Sequence, residues 1–396
     1  MLFEKGKLDC DPIEVGYDKS REEVLLRHFE KMMERDEIQC ASYCVARKGK
    51  IILHGAVGPR SFEEGCTEPL HVDTVHPIYS ITKCITGVAI MKLVEDGLAR
   101  LDTLVGEILP QFAKPPYDKI TLFHLLTHTS GMKADEGVFE DAYFIGPWEF
   151  IEEANKHAKK GEEVDWIAQG LRAGMTKLPG KEWQYCTFGF VILGAVIEKL
   201  SGQFANDYIE EHILKPLGMK DSGFTISKDM ASRMIYRDEK KKQQMQEIEE
   251  GKRSGYDDEG TMWENVPDTG GGLYSTPYDL VWFGNMMLGN GRLGDVRILG
   301  RKTVEKMTAY SLHNTPDHCW GANEPNRQYG VGFDMRKGVG FHYSEGTYMH
   351  EGYGACSLII DPVEEMVAAW FVPFQNDQWY AHGLYNVGNI IWSGLI

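Results

Sequence analysis

Residues 21–36, REEVLLRHFEKMMERD, set Val24, Leu25, Phe29, Met32 and Met33 at spacings of one, three and four. That is the apolar stripe of a helix lying on a core. The pattern then changes. ASYCVARKGKIILHGAVG, residues 41–58, holds two β-rich runs separated by Lys48-Gly49-Lys50 and predicts a hairpin. The end of the chain mirrors its start, with predicted strands at 329–335, in CSLIID and in MVAAWFV, then a helix through 385–392. The latter two strands flank a turn at Pro362-Val363-Glu364. Between these ends, about 200 residues read mainly as helices and loops, including helices over 80–96, 188–200 and 277–288. Strands at both ends predict one antiparallel sheet completed by the two termini. The expected division is an α/β part from 1–78 and 270–396 and a mainly helical part from 79–269, together one catalytic unit. The polar run 237–253 predicts a solvated helix or excursion.

Composition narrows the function classes. Hydrophobic residues are 42% and charged residues 26% of 396, the balance of a folded globular chain. Disorder, collagen and coiled coil are poor readings. With 42 Lys and Arg against 59 Asp and Glu, the formal charge is −17, which disfavours a phosphate-binding surface and hence a nucleic-acid partner. No apolar run approaches the roughly 20 residues that span a bilayer, and the first 20 residues lack a signal h-region. The expectation is a cytoplasmic protein without a membrane partner. Eight cysteines with no C-x-x-C pair predict free thiols.

Chemistry concentrates in few places. Ser80-Ile81-Thr82-Lys83 opens the helical run that stops at Gly97. Serine and lysine three apart share a helical face, and a buried lysine with a lowered pKa can take the serine proton. Ser130-Gly131-Met132-Lys133 fits the same spacing, but Gly131 breaks the helical turn that would align the pair. For either tetrapeptide alone, an N-cap serine with a solvated lysine is the simpler reading. Gly270–Gly272 lacks the Lys-Ser/Thr of a phosphate loop and predicts a tight turn. Thr276-Pro277 with Asp279 predicts a helix start. His313, His318 and Cys319 lack further ligands for a metal.

The surroundings of Ser80 separate the two tetrapeptides. DTVHPIYSITK, EDGLARLDTLVGEILPQF, ITLFHLLTHTSGM, GKEWQYCTFGFVILGAVIEKLSG, DTGGGLYSTPYDLVWFGNMML and YMHEGYGACSLIIDP follow one another in order. Together they resemble the serine hydrolases of the class C β-lactamase and penicillin-binding-protein family over roughly residues 68–370. The resemblance implies an α/β fold of α+β type, β-lactamase/transpeptidase-like, with an antiparallel sheet, flanking helices and an inserted helical subdomain. It implies an acyl-enzyme with Ser80 as nucleophile, Lys83 as base and Tyr185 as proton shuttle, and no cofactor or metal. In Tyr185-Cys186-Thr187, threonine stands where the family pattern has asparagine. A phenol among cations is expected to lose its proton more readily, and Thr187 to face substrate with one short hydroxyl.

His350-Glu351-Gly352 stands where β-lactamases have Lys-Thr-Gly. Imidazole can hydrogen-bond Tyr185 but supplies no constant cation for a substrate carboxylate. Gly352 is expected to let its strand approach substrate, and the N–H groups of Tyr353 and Ser80 to form an oxyanion hole. His128 reads as a core histidine. The implied substrate is a small-molecule ester or amide. β-Lactamase or D-amino-acid peptidase activity, or a silent ligand-binding member, remain as alternatives. Cys84 either is exposed beside Lys83, where the ammonium would favour its thiolate, or points into the helix core; oxidation there or at Cys186 is expected to lower activity.

Overall fold

The computed structural model describes residues 2–61, 63, 65–159, 162–235, 238–254, 265–335, 340–353, 356–373, 375–376, 378–379 and 383–396. The hairpin forms as β2 (Ala41–Arg47) and β3 (Lys50–Val57), with β1 (Phe3–Lys5) on its outer edge. From the far end of the chain come β4 (Tyr348–Gly352), β5 (Cys356–Asp361) and β6 (Met366–Phe371). The six strands form one antiparallel sheet in the order β1-β3-β2-β6-β5-β4. Its central seam pairs Met366 with Arg47 and Phe371 with Ser42, joining the two ends of the chain.

Both faces of the sheet are covered, so its central strands read as apolar runs rather than strict alternations. Val367, Ala369 and Phe371 enter the core shared with the helices of the middle segment. Met366, Ala368 and Trp370 enter a second core with α1 (Ser20–Glu34) and the C-terminal helix Leu384–Trp392. Each large apolar side chain fully buried in this way stabilises the fold by about 1.5–3 kcal/mol. Helix Pro277–Leu288 lies directly on the sheet because Gly284 has no side chain. A Cβ there would fall 2.3 Å from Val367 Cγ1.

α2 (Thr82–Glu95) has helical spacing but little amphipathicity, since all residues from Thr82 to Met91 are buried. α3 (Thr187–Ser201) packs beside it, and Gly202 ends it in the left-handed conformation. Among the described residues no single helix is long and apolar enough to cross a membrane.

Two expectations need correction. Residues 329–335 form no strand. Gly332 has φ +79°, Gly330 N–H donates to Phe333 O, and only isolated bridges join Tyr329 to Asp334 and Asp334 to Met349. The apolar alternation there serves a folded-back loop. Of 237–253, Arg237 lies outside the described residues, while Glu239–Glu249 is helical but not fully solvated. Its Met245 and Ile248 are buried in a satellite cluster with Val75, Ile226 and Met230, an apolar pair that the flanking charges conceal.

Candidate active site

Ser80 lies in the 3-10 turn Tyr79–Ile81 that leads into α2. Its approach is fixed from both sides. His76 and Pro77 pair with Ser275 and Tyr274, and Ile78 N–H donates to Leu273 O at 2.9 Å. Tyr79 is held at φ +47°, a conformation costly for a bulky side chain and characteristic of sites where the surroundings over-determine the backbone. One helical turn on, Lys83 is fully buried and its Nζ donates to Ser80 Oγ at 2.9 Å and to Gly270 O at 2.6 Å. Burial destabilises the ammonium and lowers its pKa to about 8, against the opposing pull of Asp135. Gly270 belongs to the predicted glycine turn, which α2 also grips through Thr86 Oγ1–H to Thr269 O at 2.8 Å.

Tyr185 lies just before α3 and donates its phenol to Ser80 Oγ at 2.6 Å. Ser80 Oγ therefore receives two side chains from separate elements. His128 supports Tyr185 from below: the rings stack at 4.5 Å, and His128 Nδ1 accepts the Cys186 N–H at 3.1 Å. Burial, reinforced by the nearby Lys83 ammonium, drives the His128 pKa well below its ordinary value, so it is a neutral core imidazole. The expectation of a readily ionised Tyr185 is overturned. Burial and then the Asp135 carboxylate push the phenol up, outweighing the Ser80 hydrogen bond. Tyr185 is a proton donor at rest.

The second Ser-x-x-Lys match diverges as expected. Gly131 has φ +77°, Ser130 accepts the Met132 N–H, and Lys133 pairs with Asp141 at 2.8 Å.

His350 lies on β4 facing the site, but its ring is 6.4 Å from that of Tyr185 and tilted by 51°. Its Nδ1 is 2.7 Å from Glu351 O, and its Nε2 is 3.5 Å from the Tyr329 hydroxyl. An Nδ1–H tautomer satisfies both contacts. Tyr329, not Tyr185, is thus the phenol beside Nε2. Gly352 differs from expectation in what it admits. A Cβ there would fall 2.3 Å from Ile78 O and 2.4 Å from Cys356 Sγ, so the close approach is between β4 and the Ser80 turn rather than substrate. Gly352→Ala is expected to separate these elements, lower stability by about 1–3 kcal/mol and reduce activity. An unchanged melting temperature would contradict this packing. Tyr353 follows at φ +43°, its ring 77% exposed and 5.9 Å from that of Tyr79. Trp320, 61% exposed and 5.4 Å from the Tyr185 ring, forms another aromatic lip.

Three participants escape the motifs. Gly270 contributes a carbonyl, invisible in side-chain identity. Tyr329 arrives on the misread loop. Asp135 accepts Thr187 N–H at 2.7 Å and Thr187 Oγ1–H at 2.5 Å, so the threonine expected to face substrate is instead bound to a carboxylate. A polar residue following Ser-Gly-Met-Lys-Ala in a chemistry-rich block was the available signal. The exposed-thiolate placement of Cys84 fails on burial and the core placement holds: Cys84 and Cys186 are both enclosed, the Cys84 thiol is pushed well above its ordinary range and that of Cys186 up to about 12. Neither is an accessible thiolate.

Comparison with known proteins adds an independent line. Residues 25–380 match the Beta-lactamase family model. Protein Rv1367c of Mycobacterium tuberculosis is 28% identical over 282 residues, covering 66% of this chain and 65% of that protein. Esterase EstB of Burkholderia gladioli is 30% identical over 224 residues, covering 53% of each. The matched stretches thus span between about half and two thirds of these relatives' lengths. A solved family VIII carboxylesterase superposes with a TM-score of 0.72 at 18% identity, covering 96% of this chain and 99% of that one, which shows the fold. With the sheet, the paired serine and lysine and the family match all in agreement, this chain belongs to the Beta-lactamase family.

Proposed function

We propose that this protein hydrolyses a small-molecule carboxylic ester through a covalent acyl-enzyme on Ser80. The observation that carries the reading is the convergence of Lys83 Nζ at 2.9 Å and Tyr185 OH at 2.6 Å on one serine oxygen. With Lys83 neutral, the Ser80 hydroxyl proton passes to Nζ as Oγ attacks the substrate carbonyl carbon. The displaced carbonyl electrons are received at backbone N–H groups, for which Ser80 and Tyr353 are the candidates. Tyr185, protonated at rest, donates to the leaving oxygen and recovers its proton through Lys83. Water then attacks the acyl-enzyme along the reverse proton path, releasing acid and Ser80. His350 and Tyr329 orient the wall behind Tyr185.

Ester is favoured over β-lactam because His350 and Glu351 offer no constant cation for a lactam carboxylate. The similarity to an esterase supports the same choice, and the exposed rings of Trp320 and Tyr353 suit an apolar substrate part. All eight cysteines are free thiols, which suits a reducing compartment, so we assign the protein to the cytoplasm. We assign it no cofactor, nucleic-acid or membrane partner.

Labelling with a fluorophosphonate followed by peptide mass spectrometry tests the reading. The expected result is one adduct, on Ser80, with loss of 4-nitrophenyl ester hydrolysis. An unlabelled Ser80 in folded protein would leave a ligand-binding pocket in place of an enzyme.

A further inference from the structure

Asp135 stands between the start of α3 and a cavity. On one side it holds the start of α3 through both Thr187 hydrogen bonds, next to Gly270, since a Cβ at Gly270 would lie 2.6 Å from the Thr187 methyl. On the other side it lines a cavity of about 320 Å3 whose walls include Phe139, Phe144 and Gln184. A carboxylate has about four acceptor positions, and Thr187 takes two.

The charges around this cavity are unequal. Its two lysines are neutralised, Lys133 by Asp141 at 2.8 Å and Lys177 by Glu182 at 2.6 Å. Glu140 is exposed at the rim. Among the described residues Asp135 forms no ion pair within 4.0 Å. Burial raises the pKa of its carboxyl, opposed by the charge of Lys83, whose Nζ is committed to Ser80 and Gly270. Asp135 N–H donates to Tyr185 O at 3.0 Å, which ties this wall of the cavity to the residue that addresses Ser80; a half-buried carboxylate there, without an ion pair among the described residues, fits a ligand that brings the cation.

We propose that this cavity receives the acyl part of the substrate and that Asp135 binds an ammonium carried on it, making esters or amides of amino-bearing acids the preferred class. The inference rests on the acyl-enzyme reading above and deepens it. Binding and chemistry are then coupled. The groups facing Lys83 are Asp135, Cys84, Cys186, Tyr185 and His128. Burial keeps the thiols and phenol protonated and His128 neutral, so Asp135 is the charge among them that stabilises the Lys83 ammonium. A substrate ammonium on Asp135 offsets that charge and favours the neutral amine that accepts the Ser80 proton.

The test compares 4-nitrophenyl esters of glycine and of 6-aminohexanoic acid, each against its uncharged carbon isostere, with spontaneous hydrolysis subtracted. For at least one length, kcat/KM of the amino ester should exceed that of its isostere by about tenfold or more. Asp135→Asn should bring that ratio to within about threefold of one. A second measurement needs no variant: butylammonium should inhibit hydrolysis of the neutral ester competitively, and 1-butanol at equal concentration should not. Ratios at or below one for both lengths, a ratio unchanged in Asp135→Asn, or equal inhibition by amine and alcohol would each overturn the proposal. If the neutral ester acylates Ser80 without any such preference, only this inference falls. If no ester acylates Ser80, the hydrolase reading falls with it.

Discussion

Ser80→Ala is expected to lower kcat/KM for a 4-nitrophenyl ester by about 10⁴–10⁶, the range seen when the nucleophile of a cooperating set is removed. The size follows from the geometry. Lys83 and Tyr185 both address the same oxygen, so without it neither has a proton to exchange with substrate. What survives is binding and polarisation by backbone donors. The fold should tolerate the change, because Ser80 sits in a short turn held by the bonds of its neighbours rather than by its own hydroxyl. Lys83 would keep its contact with Gly270 O. Circular dichroism and thermal unfolding should match the parent, with steady-state kinetics and intact mass under ester showing no acyl species. Activity within tenfold of the parent would remove Ser80 from the chemistry.

The second large effect is expected at Lys83. Methionine keeps the length and apolar stem of lysine but cannot take a proton, so kcat/KM should fall by about 10²–10⁴. The pH profile carries more information. As the proposed base, Lys83 would act only when neutral, so activity in the parent should rise with pH and level off above about 8, and Lys83→Met should lose that limb.

The substitution should move stability in the direction opposite to activity. The folded-state pKa lies below the unfolded value of 10.5, so between about 8 and 10.5 the unfolded chain binds more protons and stability rises with pH. Below that window the buried ammonium carries its full desolvation cost. Methionine removes the cost, so at pH 7 Lys83→Met should be more stable by on the order of 1–3 kcal/mol while being nearly inactive. Thermal melts at pH 7 and pH 10 measure this directly. A variant destabilised at both would mean that the lysine hydrogen bonds outweigh its burial.

These outcomes turn on residues that differed in how far the sequence exposed them. The hairpin was legible because β2 and β3 are β-rich runs around a glycine turn, and the Ser80–Lys83 pair because three residues along a helix return to the same face. Tyr185 was legible only through the order of the surrounding blocks, since Tyr274-Ser275-Thr276 offers the same spacing. Asp135 and Tyr329 were not legible. Each reaches the site through irregular loops, where no periodicity relates position in sequence to direction in space. The ionisation of Tyr185 was misjudged for a related reason. Its neighbours were inferred as cations, whereas the enclosing apolar surface and Asp135 decide its proton affinity. The roles of His350 and Gly352 shifted similarly, because the identity of a motif residue does not say which side of the strand its partner occupies.

The seam between β2 and β6 has a consequence for synthesis. Arg47 must wait for Met366 before its strand has a neighbour on that side. At roughly 5–20 residues per second, the chain between them takes on the order of tens of seconds to emerge. Throughout that interval the nascent protein presents the unpaired, apolar edge of β2, the kind of edge onto which another chain can add. Holding this edge apart until the last strands leave the ribosome is a task for chaperones, and the yield of active enzyme should fall when expression outruns them.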